Sequence, residues 1–171
     1  RNVSLNPLLS RRITPVKSFI SGHTEVKPKI NAFSSWKIDG SKKGIIQHPV
    51  HMGTPKSTKG VGAISLDDFC RREGITRLDF IKTDTDGYEH EVLKGAKRTI
   101  SKYKPIVIFE AGDYLLKEKN IDFSYFLNYF AKLNYSLFDT QSNIQIIRQN
   151  YRLLIPRYST IDVIAIPKKN K

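Results

Sequence analysis

Residues 78–96 read LDFIKTDTDGYEHEVLKGA, and the change of rhythm inside that stretch decides the fold. The first part, Leu78 to Thr83, is a short, mostly apolar run that ends at Asp84 and predicts a strand. The last part places Val92, Leu93, Ala96 and Ile100 on one face at helical spacing and predicts a helix over 88–102. Lys97, Arg98 and Lys102 crowd its end, where cations suit the helix dipole. Between strand and helix, Asp86 and Gly87 make the turn. Glycine there allows a tight backbone and the close approach of a ligand.

The flanks repeat this alternation. Upstream, Ser65 precedes Leu66, Phe69 and Cys70 with Asp68 three residues on, the pattern of a capping box, and Gly74 is a good stop. Downstream, Pro105 opens IVIFE, a continuous apolar run that reads as a buried parallel strand. Phe123, Phe126, Leu127, Phe130 and Leu133 predict a second amphipathic helix after Asp122. Residues 135–139 and 161–166 read as strands, and 144–147 and 152–155 as short strands or loop. Residues 13–20 and 26–33 read as short strands weakened by Pro15 and Pro28. Residues 34–62 read as a long basic loop and 167–171 as a solvated tail. Strands alternating with helices imply an α/β fold with a mostly parallel sheet. A length of 171 residues suits one domain spanning 1–171.

Ligands of such sheets bind outside the carboxyl ends of the strands. The residues to weigh are therefore Asp84, Asp86 and Glu110, with Lys82, which shares a strand face with Asp84, and with Tyr88 and Glu89 just beyond. One cation and several carboxylates gathered there need a partner, a metal or a cationic ligand to offset their desolvation. A capping and salt-bridge cluster satisfies the same residues, with Asp86 capping the helix and Lys82 pairing with Glu89.

Bulk properties narrow the classes. Lys plus Arg number 29 against 16 Asp plus Glu, a net charge of +13. Residues 1–62 hold 11 basic and 2 acidic residues. That field attracts anions without identifying them, and no interleaved aromatic platform supports single-strand nucleic-acid binding. No apolar run approaches the roughly 20 residues of a membrane span. Cys70 stands alone, which excludes a disulfide framework within the chain and fits a reducing, cytoplasmic setting. His48 and His51 flank Pro49, which opposes a helix that would align them, and no third ligand stands near, so no metal is expected. Trp36 reads as a packing residue, and His90 as solvated.

SLDDF (65–69), LDFIKTDTDGYEHEVLKGA (78–96) and KPIVIFE (104–110) together resemble the FkbM family of S-adenosylmethionine-dependent methyltransferases. The stretches come in the family's order and spacing. NVSLNPLL (2–9) and Ile155–Pro156 resemble it more weakly. The resemblance implies a Rossmann-like class I methyltransferase sheet with helices on both faces. Residues 14–20 would be its third strand, 78–84 the fourth, 105–110 the fifth, and 135–139 and 161–166 the last two. It implies S-adenosylmethionine as cofactor and O-methylation of a sugar or other small-metabolite hydroxyl. Asp84 would face the methionine end of the cofactor or the acceptor. Asp84, Asp86 and Glu110 are the catalytic candidates, and Lys82, Tyr88 and Glu89 the substrate-side ones. Phe19, Ile20 and Ser21 are the candidates for adenine contact.

Two departures matter. Asp86 stands where the family usually has Glu, which keeps the charge and shortens its reach by one methylene. The family's glycine-rich cofactor loop and the acid that holds the ribose have no counterpart. Truncation at the N-terminus is therefore expected, with strand three losing its neighbours and an apolar sheet edge left open, or with the segment re-pairing or forming a homo-oligomer. The rival expectation is a non-catalytic methyltransferase-like module that binds an anionic partner through its basic N-terminal third.

Overall fold

A computed structural model describes residues 3–25, 32–33, 55–56 and 59–169. After a short helix α1 (Pro7–Ser10), β1 (Phe19–Ile20) pairs in parallel with β4 (Ala63–Ile64), and β2 (Ala32–Phe33) pairs antiparallel with β3 (Pro55–Lys56). Residues 55–56 are thus a strand inside the expected loop. Of the expected third strand at 14–20, only Phe19–Ile20 form a strand, with β4 as its neighbour. Of the expected strand at 26–33, only Ala32–Phe33 lies among the described residues; Trp36, His48 and His51 lie outside them.

The rest is one mixed α/β unit. Helix α2 (Leu66–Arg72) begins as the sequence predicts: the Ser65 hydroxyl accepts from the Asp68 N–H at 3.1 Å. The reciprocal half of the box is taken by Thr24, whose Oγ1 donates to the Asp68 carboxylate at 2.5 Å and accepts from the Ser65 N–H at 3.2 Å. Gly74, with φ +62°, follows its end. The strand β5 (Phe80–Thr83) is followed by two helices rather than one, α3 (Glu89–Lys94) and α4 (Lys97–Tyr103). The break is stabilised from outside: Asp67 accepts from the Arg98 and Thr99 N–H groups at the start of α4, at 3.1 and 2.7 Å. The chain continues through β6 (Ile106–Ala111), α5 (Asp113–Glu118), α6 (Ser124–Lys132), β7 (Tyr135–Asp139), β8 (Gln145–Ile146), α7 (Tyr151–Leu154) and β9 (Ile161–Pro167).

The sheet order is β5-β6-β9-β7-β8. Only β5–β6 is parallel; β9 runs antiparallel to both β6 and β7, and β8 antiparallel to β7. The expected mostly parallel sheet is therefore corrected to a mixed one. The last strand enters between β6 and β7 in the reverse direction, which hydrophobicity alone does not reveal. Residues 152–155, expected as strand or loop, contribute to α7, and the expected solvated tail starts inside β9, with the Lys168 N–H bound to Asn134 O at 2.8 Å.

Side chains alternate between the faces of a strand. Val107, Phe109, Ala111, Leu137, Val163 and Ala165 share one face, and all are buried in a single cluster with Leu93, Ile100, Leu116, Phe126 and Phe130 from the helices. Phe109 meets Phe126 and Phe130 at ring-centroid distances of 4.8 and 5.5 Å. Each such side chain contributes roughly 1.5–3 kcal/mol by burial. The Tyr129 hydroxyl donates to Leu93 O at 2.5 Å, tying α6 to α3. The other face carries Phe80, Lys82, Ile106, Ile108, Glu110, Asp162, Ile164 and Ile166, none of them buried. Helices were expected on both faces. Among the described residues, those contributing to the buried cluster cover one.

Candidate active site

The chemistry of the chain gathers where β5 and β6 end. Their parallel register pairs Lys82 with Ile108 and Thr83 with Phe109, so Asp84, one residue past β5, follows toward Glu110. Lys82 and Asp84 share the open face and form an ion pair at 3.1 Å. Both are about half exposed, so the pair adds little to stability. It does hold the Lys82 ammonium more firmly protonated, through the hydrogen bond and the charge of Asp84, with Asp162 and Glu110 adding to it. Lys82 therefore pairs with Asp84, not with Glu89.

The turn that follows is locked from beneath. Glu89 is 1% exposed. Its Oε1 accepts from the Thr85 N–H at 2.6 Å and from the Thr85 hydroxyl at 2.8 Å. Burial pushes the Glu89 carboxyl above its ordinary range, against the pull of those bonds. Between the two, Asp86 adopts φ +50° and Gly87 φ +92°. The left-handed region suits glycine, and a Cβ on Gly87 would come within 3.2 Å of the Leu115 Cβ. The N-cap position of α3 is Tyr88. Of the named contacts of the capping and salt-bridge alternative, the Lys82–Glu89 pair is replaced by Lys82–Asp84. Glu89, expected on the substrate side, faces inward and fixes the turn that presents Asp86.

Glu110 is held from a strand 50 residues away in sequence. The Thr160 hydroxyl donates to its Oε1 at 2.6 Å, and the antiparallel register sets Asp162 directly beside it. Gly112 permits the approach: a Cβ there would lie 2.6 Å from Ser159 O and 2.9 Å from Thr160 Cγ2. Burial pushes the Glu110 carboxyl up, opposed by the Thr160 bond and reinforced by the charges of Asp84, Glu89 and Asp86. Tyr114 stands near the same charges: burial raises its phenol first, then Glu110 and Asp86. Thr85, Thr160, Asp162 and Tyr114 are residues that sequence reasoning missed. Only Tyr114, four residues past a strand-end acid, left a signal.

Tyr88 is exposed, and the Lys119 ammonium lies 4.2 Å above its ring. His90, expected to be solvated, is partly buried: Nδ1 lies 3.2 Å from Gly87 O, and the ring packs edge-on to Tyr125. Burial lowers its basicity. Phe19, Ile20 and Ser21 are not drawn into this group among the described contacts. Their strand ends against Gly95, which Ser21 O closely approaches, past the C-terminal end of α3. The Asp84–Asp86 turn precedes the other end of that helix.

The assembled group is a mouth of three carboxylates, Asp84, Asp86 and Glu110, with one cation, Lys82. It suits a positively charged ligand, and it holds one carboxyl whose proton affinity is raised. Among the described residues no cluster of three or more His, Cys, Asp or Glu side chains is arranged to hold a metal, and no helix is long and apolar enough to cross a membrane. A family model described as the methyltransferase FkbM domain matches residues 12–137. No curated protein and no solved structure matches the chain.

Proposed function

Because the chain belongs to the FkbM methyltransferase domain family, we propose that it transfers a methyl group from S-adenosylmethionine to a hydroxyl of a sugar or other small metabolite, on a Rossmann-like sheet. The observation that carries this reading is the carboxylate mouth at the ends of β5 and β6. The donor set fits the cofactor by charge. S-adenosylmethionine carries a sulfonium and an ammonium, and when bound it supplies a methyl group activated by that sulfonium. Asp84 and Asp86 would hold the cationic end. Phe19, Ile20 and Ser21 stay the proposed adenine contacts, on a strand separate from the acidic turn. The single, buried Cys70 fits a cytoplasmic setting.

Glu110 is the proposed proton acceptor. A general base works best when its proton affinity approaches the operating pH, and burial moves Glu110 in that direction. It would take the proton of the acceptor hydroxyl as the oxygen bonds to the methyl carbon. Thr160 keeps its carboxylate aimed, and Lys82 holds Asp84 in place. General-base assistance is typically worth 10²–10⁴-fold, and positioning of the acceptor contributes the remainder.

The test pairs calorimetric titration of the folded full-length protein with S-adenosylmethionine and a methyl-transfer assay on the Asp84→Asn variant. Micromolar binding by the native protein is expected, with cofactor affinity weakened about tenfold or more and methyl transfer reduced in Asp84→Asn. A folded protein that neither binds the cofactor nor transfers methyl would overturn the reading. Undiminished activity in Asp84→Asn would remove Asp84 from the mechanism.

A further inference from the structure

Beside the carboxylate mouth lies a cleft of about 470 Å³, large enough for a small ligand. Its walls come from the start of α5, the start of α6 and the segment 151–158. The two sides are stitched together where the Asp113 N–H donates to Pro156 O at 3.0 Å. Tyr114 lines the cleft, and at Gly112 its Cε1 and Thr160 Cγ2 would lie 3.2 and 2.9 Å from an added Cβ; Thr160 in turn holds Glu110 at 2.6 Å, so the cleft adjoins the mouth.

The charges in the walls do not cancel. Both carboxylates are already engaged: Asp113 pairs with Lys117 at 2.6 Å, and Asp122 accepts from the Tyr151 hydroxyl at 3.1 Å and from the Ser124 N–H at 2.8 Å. Arg152 gives its Nε to the Tyr151 hydroxyl at 3.1 Å. Arg157 has no hydrogen-bond or ion-pair partner among the described residues, although it lines the same cleft. The exposed ring of Tyr158 stands next to it in sequence and lines the cleft as well. A guanidinium left without a carboxylate, in a cleft whose walls also carry tyrosines, suits a ring that bears an anionic group. Arg152, Arg157 and Tyr158 all follow residue 137, where the family match ends.

We propose that this cleft is the acceptor site and selects a small sugar-like acceptor bearing a carboxylate or phosphate, with the anion on Arg157, the ring between Tyr114 and Tyr158, and the reacting hydroxyl toward Glu110. The proposal rests on the methyltransferase reading for the word acceptor, and on the cleft alone for the anion preference.

Calorimetric titrations of the full-length protein with glucuronate, glucose 6-phosphate and neutral methyl glucoside test it, with and without S-adenosylhomocysteine. At least one anionic probe is expected to bind tenfold or more tightly than methyl glucoside, and which one does so identifies the anion. Arg157→Gln should erase that preference. Tyr158→Ala should weaken all probes alike. Arg77→Gln, an exposed charge paired with Asp79 outside the cleft, should leave the preference intact. Equal affinity for charged and neutral probes, no binding of any probe, a preference that survives Arg157→Gln, or an equal loss in Arg77→Gln would each overturn the proposal. Methyl transfer to a neutral sugar without anion preference would overturn this inference and leave the methyltransferase reading standing. Anion preference in a protein that transfers no methyl group would do the reverse.

Discussion

On one face of the five-stranded sheet, Val107, Phe109, Val163 and Ala165 are sealed at 0% exposure beneath the helices. On the other face of the same strands, Lys82 and Asp162 are exposed, Glu110 is half-buried, and Phe80 is 50% exposed. The alternation of a strand delivers neighbouring residues to the two sides, so Phe109 and Glu110 sit in opposite environments one residue apart. The dry face holds the fold together, because close-packed rings leave no room for adjustment. The wet face can carry charge, because solvent and a few hydrogen bonds offset the cost of its carboxylates. The candidate site lies at the rim, where Asp84 and Asp86 follow the end of β5 and Glu110 is the penultimate residue of β6, on the side away from the packed core.

The sharpest way to break this contrast is to truncate one aromatic ring on each face. Phe109→Ala should cost about 3–5 kcal/mol, because it leaves a cavity among Phe126, Phe130 and the sheet. Phe80→Ser should stay within about 0.5 kcal/mol. Urea denaturation measures both, and equal losses would mean that the second face is covered as tightly as the first. A smaller effect of opposite sign is expected at Thr83. Its hydroxyl lies on the dry face and has no hydrogen-bond partner among the described residues. Thr83→Val keeps the shape and removes the unpaired group, so the midpoint should rise by an amount equivalent to about 1 kcal/mol. An unchanged or lower midpoint would show that the hydroxyl is satisfied in solution.

The smallest effect concerns Glu110 and sharpens the account of the wet face. Its folded-state proton affinity is raised above the ordinary value of 4.5. The stability that its protonation gives is therefore fully present below pH 4.5 and is lost as pH rises through the folded value. Glu110→Gln should flatten that decline in a pH series of thermal melts. An identical decline in both proteins would place the titration on another group. Asp86→Asn should move the same decline to lower pH, since removing a neighbouring negative charge eases the ionisation of Glu110.

Much of the rim was legible because its signals are local. The strand, turn and helix around Asp84–Glu89 are written within a dozen residues, as is the Ser65–Asp68 cap. The inward turn of Glu89 was not legible, because a first-turn glutamate reads equally as an exposed one until Thr85 folds over it. The partners of Glu110 were not legible either, since Thr160 and Asp162 reach it only through the β6–β9 pairing.

The α/β rhythm, the apolar stripes that became the core, the family, and the three carboxylates near the strand ends could all be read along the chain. These follow from residue spacing, and spacing is set by backbone periodicity. Folding in three dimensions added that β9 enters the sheet in reverse between β6 and β7, that the described helices of the core cover one face, and that Arg157 and Tyr158 open onto a cleft adjoining the segment that holds Glu110. Those outcomes depend on pairings between residues tens of positions apart, which no local pattern encodes, and they arise when the whole chain buries its apolar faces at once.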